Sequence, residues 1–104
     1  MREPRVELLW WEGCPSTDEA LAILREEMAE LGLDPGAIHP RKVSTDAEAR
    51  REEFVGSPTI RVDGRDVDPA GDEQPPSLSC RIYRLPDGRP SPVPTRAQLE
   101  DALR

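Results

Sequence analysis

The change of hydrophobic period around Gly13 constrains the fold of this chain more than any other feature. Arg5 to Trp11 is short, mostly apolar and contains strand formers, so it reads as a central strand covered on both faces. Gly13 stops it. From Pro15 to Leu31 the period lengthens. Ala20, Leu21, Leu24, Met28 and Leu31 share one stripe, while Glu19, Arg25, Glu26 and Glu30 fall elsewhere. Pro15 suits the first helical turn and Gly32 the stop.

The remaining elements follow from turns and caps. Ala37 to Val43 reads as a second strand. Pro40 within it cannot donate a ladder hydrogen bond, which places the strand at a sheet edge. Thr45-Asp46-Ala47-Glu48 is a capping-box pattern that opens a helix to about Val55, ended by Gly56. Ser57-Pro58 leads into the alternating strand Thr59 to Val62. Asp63-Gly64 is a hairpin signal, with the return running from Arg65 to Asp68. Ser79 to Leu85 is a further extended candidate, and Thr95-Arg96-Ala97-Gln98 opens a last helix to Leu103. The expected order is β-α-β-α-β-β-α, an α/β chain with a four-stranded mixed sheet flanked by helices. That is the order of the thioredoxin fold.

Composition narrows the function. With 104 residues, the chain is expected to form a single domain over residues 1–104. Fourteen basic residues against 21 acidic ones give a net charge of -7, which repels phosphate and argues against nucleic acid. Of the 12 prolines, seven lie between Pro69 and Pro94, so the C-terminal third is expected to be ordered but irregular. The longest apolar run, Ala20 to Leu24, is far below the roughly 20 residues that span a bilayer. The opening Arg2-Glu3-Pro4-Arg5 shows no signal-peptide pattern, so the expectation is a cytoplasmic protein with no membrane partner. Two cysteines and one histidine are too few for a disulfide scaffold or a four-ligand zinc site. No cofactor and no resident metal are expected.

Cys14 stands out chemically. It lies at the strand-to-helix junction, where free N–H groups and the positive helix end favour thiolate. Glu12, Asp18 and Glu19 oppose this, so the expectation is a moderately reactive thiol. The bland alternative is a buried, inert small side chain. Gly56-Ser57-Pro58-Thr59 is the second motif; most X–Pro bonds are trans, so the sequence by itself favours trans there. Cys80, 66 residues after Cys14, is by default a buried structural cysteine. His39 reads as solvent-facing, Glu26, Glu27 and Glu30 as a solvated helix face, and Arg50-Arg51 as locally paired. Trp10 and Trp11 point to opposite faces, and one of them is expected in the core.

These motifs together resemble the thioredoxin superfamily. Within it, they are similar to small bacterial thioredoxin-fold proteins that sometimes carry an alkylmercury-lyase label. The shared features are Gly13-Cys14-Pro15, Gly56-Ser57-Pro58-Thr59, Val62-Asp63-Gly64-Arg65-Asp66 and Ser79-Cys80-Arg81-Ile82-Tyr83. The resemblance covers nearly the whole chain. It implies a cis Ser57–Pro58 bond beside Cys14 and a substrate groove at Ser57, Pro58 and Thr59, with Trp11 as the aromatic cover. Thr17 stands where the usual Cys-x-x-Cys motif has its second thiol. Its hydroxyl is expected to hydrogen-bond a Cys14 thiolate instead.

The resemblance also frames Cys80. If Arg65 to Asp68 is the fourth strand, Cys80 emerges near Cys14; if Ser79 to Leu85 is, Cys80 starts at the far end. The leading expectation is a thiol-based redox protein acting on a protein or low-molecular-weight thiol or disulfide. Cys14 is the nucleophile and Cys80 the candidate resolving cysteine. The alternatives are soft-metal or organomercury binding by Cys14 and Cys80, and a non-catalytic interaction module. Asp18 and Asp66 are candidate acids only by default.

Overall fold

The structure, a computed structural model, describes residues 3–104; Arg2 of the opening segment lies outside them. Four strands form the main sheet: β1 (Val6–Trp10), β2 (Ile38–Lys42), β3 (Thr59–Val62) and β4 (Arg65–Asp66). Their spatial order is β2-β1-β3-β4, with β1 parallel to β2 and antiparallel to β3, and β3 antiparallel to β4. Three helices, α1 (Thr17–Glu30), α2 (Asp46–Glu52) and α3 (Arg96–Leu103), complete a mixed α/β domain. Among the described residues no helix is long and apolar enough to cross a membrane.

The period of two in β1 divides the core. Val6 and Leu8, with Ile60 and Val62 of β3, pack against Ala20, Leu24 and Met28 of α1 and Leu99 and Leu103 of α3. Leu9 lies on the other face with Val43, Ala49 and Phe54 beside α2. Each buried leucine of this kind contributes about 1.5–3 kcal/mol. The central position of β1 and the edge position of β2 agree with the sequence, and Pro40 lies opposite Leu8 in the parallel ladder.

Several boundaries differ from expectation. α1 begins at Thr17 with Ser16 as N-cap, so Pro15 is outside the helix. The amide of Cys14 donates to the Trp11 carbonyl (3.0 Å), and this turn intervenes before the helix can start. α2 stops at Glu52 because Glu53 turns left-handed, with φ of 55°, freeing Phe54 and Val55 to enter the core. Glu27 is not on a solvated face: it is 3% exposed and faces Arg96 of α3 (3.5 Å). Glu26 and Glu30 are exposed, as are His39, Arg50 and Arg51. A hairpin absent from the sequence reading, β5 (Tyr83–Arg84) with β6 (Pro90–Ser91), forms a separate small sheet before α3.

The topology sets where the cysteines lie. β1 and β3 are antiparallel, so the end of β1 and the start of β3 share one end of the sheet. Asp63 (φ 53°) and Gly64 (φ 82°) make the left-handed two-residue turn that joins β3 to β4. β4 therefore runs back toward the end that carries Cys14. The fourth strand is the Arg65 segment and not Ser79 to Leu85.

Candidate functional site

The site is built on Ser57, the residue before the cis Ser57–Pro58 bond. Its backbone carbonyl accepts from the Cys14 thiol (Sγ···O 3.3 Å). Its hydroxyl accepts from the Trp11 amide at 3.0 Å and lies 3.4 Å from the Thr17 hydroxyl. β1, the α1 junction and β3 thus meet on one serine.

The chain returns to the same serine from the other side. Residues 79–81 lie beside it as a one-residue parallel bridge between Ser57 and Cys80. The Ser57 amide donates to the Ser79 carbonyl (2.7 Å) and the Arg81 amide donates to the Ser57 carbonyl (2.8 Å). Gly56 permits this approach. Its φ is +126°, and a Cβ there would lie 2.9 Å from the Arg81 backbone nitrogen and Cα.

Arg81 and Tyr83 anchor this strap. The Arg81 side chain is fully buried and pairs with Asp66 of β4 at 2.5 Å. It also reaches the Asp68 carbonyl (3.4 Å) and the Thr59 hydroxyl (3.5 Å), and its guanidinium lies over the Tyr83 ring (4.4 Å). Tyr83 is fully buried and donates to the Pro58 carbonyl (2.6 Å); burial pushes its phenol well above the usual range.

The strap brings Cys80 alongside Ser57, the residue whose carbonyl accepts from Cys14, and the two thiols influence each other's titration. Cys14 is partly buried and Cys80 exposed, both as free thiols. Burial raises the Cys14 pKa, but hydrogen bonds outweigh it and the net direction is down. These come from the Ser57 hydroxyl, the Ser16 amide (3.4 Å from Sγ), the Thr17 hydroxyl and the Cys80 thiol. Cys80 moves up, through desolvation, the charge of a Cys14 thiolate and the hydrogen bond it donates to that sulfur. The lowering at Cys14 owes more to hydroxyls than the sequence implied, because the helix starts three residues later and offers one amide.

An apolar cleft of about 440 Å³ opens on Cys14, floored by Leu8 and walled by Trp10, Pro15, Leu21 and Pro40, with Asp18 among its lining residues. Trp10, not Trp11, is the aromatic beside the cysteine. Trp11, the expected cover, packs with the Leu9 cluster and lays its ring against Gly13, next to Cys14 in the chain. The segment expected to shape a substrate groove is buried. Ser57 and Thr59 are 0% exposed and the Pro58 side chain is fully buried. Thr59 spends its hydroxyl on the Gly56 carbonyl (2.5 Å). The strap pairs with the Ser57 backbone, and beyond it Ser57 and Cys80 line a shallow cleft of about 400 Å³ with Pro15, Ile82, Pro90 and Pro92. Asp66 is occupied by Arg81 and is not available as an acid. The sequence reading gave Arg81 and Tyr83 no role; an arginine and a tyrosine flanking Cys80 at one and three residues were the available signal.

Comparison with models of known protein families, with curated proteins and with solved structures finds no match for this chain.

Proposed function

We propose that the chain is a thioredoxin-like protein that performs thiol–disulfide exchange, with Cys14 as nucleophile and Cys80 as resolving thiol. The observation that supports this is that Cys80 bridges the same serine whose carbonyl accepts from Cys14, while the surroundings shift the two thiols in opposite directions. The thiol with the lowered pKa attacks; its neighbour stays protonated until needed. The sheet order, with a cysteine after the central strand and a proline opening the antiparallel neighbour, supports the thioredoxin-like reading.

The exchange has two steps. The Cys14 thiolate attacks a disulfide and forms a mixed disulfide, releasing one thiolate. Cys80 loses its proton to solvent, attacks the Cys14 sulfur and releases the second. The partner is a thiol or disulfide of a reducing cytoplasm, where such protein disulfides are transient.

Alkylation with iodoacetamide across pH, read for each cysteine by mass spectrometry, tests the nucleophile. Cys14 is expected to react first although Cys80 is more exposed, with a midpoint below that of a free-cysteine peptide titrated alongside. A Cys14 midpoint at or above that value would favour an inert interaction module.

The same sulfur pair favours a second reading, a two-coordinate soft-metal or organomercury site. Among the described residues no group of three or more ligating side chains gathers, so the pair would act alone. Silver(I) titration separates the readings: tight 1:1 binding lost in Cys80→Ser supports the metal site, and equal weak binding by both proteins removes it.

A further inference from the structure

We infer that the disulfide taken by Cys14 is a small, uncharged or cationic molecule with an apolar group, held in the Trp10–Pro40 cleft, and not an extended peptide. The inference rests on the exchange reading and names its substrate class.

An extended peptide binds by adding a strand, which requires a backbone edge with free N–H and C=O groups. Beside Cys14 that edge is Ser57, and both of its groups are already used by Ser79 and Arg81. Ser57 itself is 0% exposed. Vacating the edge means lifting a segment held by the fully buried Arg81 side chain on Asp66 and by Tyr83 on Pro58. A peptide would have to replace all of these contacts.

The Trp10–Pro40 cleft is lined by Cys14 itself and leaves the strap in place; the shallower cleft on the strap side is lined by Cys80 and not by Cys14. The volume of the Trp10–Pro40 cleft, about 440 Å³, suits a small molecule. Cys14 and Thr17 line it, whereas Cys80 does not, so a leaving group seated there does not displace the resolving thiol. Asp18 is the one charged residue lining it. Lys42 lies over the Trp10 ring and is engaged by Glu12 at 3.3 Å. With a net charge of -7 on the chain, an anionic disulfide is repelled on approach.

The reaction balances within the protein. The Cys14 thiolate cleaves RS–SR to give Cys14–SR and RS⁻, which takes a proton from water. Cys80, deprotonated by solvent, then forms the Cys14–Cys80 disulfide and expels the second RS⁻. The substrate disulfide gains two electrons and the two protein thiols lose them.

The test is single turnover of the reduced full chain with three probes. These are 4,4′-dithiodipyridine (neutral aromatic), 5,5′-dithiobis(2-nitrobenzoate) (dianionic aromatic) and a disulfide-bonded extended peptide. Each rate is divided by that of 2-mercaptoethanol thiolate with the same probe. The neutral probe is expected to exceed both others by about tenfold or more. Asp18→Lys, at an exposed position, is expected to shrink the neutral-to-anionic ratio several-fold, and Leu21→Ala to slow the neutral aromatic probe. Should Leu21→Ala fail to fold, the Asp18→Lys ratio decides alone. Equal normalised rates for the peptide and the neutral probe overturn this inference and leave the exchange reading standing. Cys14 reacting with every probe no faster than the free thiol overturns both.

Discussion

Asp66→Ala removes the partner of the most deeply buried charge among the described residues. The Arg81 side chain is 0% exposed and its strongest contact is the 2.5 Å bond to Asp66. The remaining contacts are long, 3.4 Å to the Asp68 carbonyl and 3.5 Å to Thr59, and the Arg81 Nε has no partner among the protein atoms. Breaking such a pair from one side costs roughly 3–5 kcal/mol, a large part of the 5–15 kcal/mol typical of a domain. In urea the midpoint should fall by roughly 1–3 M at an unchanged slope. The double variant Asp66→Leu/Arg81→Met should recover most of the loss, since an apolar replacement leaves no stranded charge. If Asp66→Ala loses less than about 1 kcal/mol, water reaches Arg81 and the strap is not locked as described.

Three further outcomes follow from the same contacts. Gly56→Ala places a Cβ 2.9 Å from the Arg81 backbone at a φ of +126°, so the strap must shift. In a dithiothreitol redox buffer, its Cys14–Cys80 disulfide should form less readily than that of the wild type, by about fivefold or more for a cost of 1–3 kcal/mol. Thr17→Val deletes one of the hydroxyls that lower Cys14, so thiolate absorbance at 240 nm should titrate at higher pH than in the wild type. The Cys14 pKa is lower folded than unfolded, so the reduced protein gains stability as pH rises from the folded to the unfolded value. Urea melts of wild type and Cys14→Ser should therefore diverge across that window, the wild type gaining; parallel profiles would contradict the shift.

The sheet was legible because its signals are local. Alternation in Thr59 to Val62, the proline in β2 and Asp63-Gly64 each act within a few residues, and together they order four strands. The cysteine junction was legible for the same reason, although the turn closed by Cys14 onto Trp11 delayed the helix to Thr17. The strap was not legible. It depends on Arg81 finding Asp66, 15 residues earlier, and on Tyr83 finding the Pro58 carbonyl, 25 residues earlier, and no local pattern encodes either pairing. The small β5–β6 hairpin escaped notice because its prolines and the Pro86-to-Gly88 turn hide a ladder of two residue pairs. Trp10 and Trp11 alternate as expected, but which face holds the cleft depends on the partners of β1.

The account stands most directly on a trapping experiment. Reduced wild type and Cys80→Ser are each mixed with one equivalent of 4,4′-dithiodipyridine, quenched in acid at intervals and mapped by mass spectrometry. The account predicts a Cys14 mixed disulfide in both proteins. It should persist in Cys80→Ser and pass in the wild type to a Cys14–Cys80 disulfide with release of the second thiopyridone. First capture at Cys80, or a Cys14 adduct that persists equally in the wild type, would contradict it.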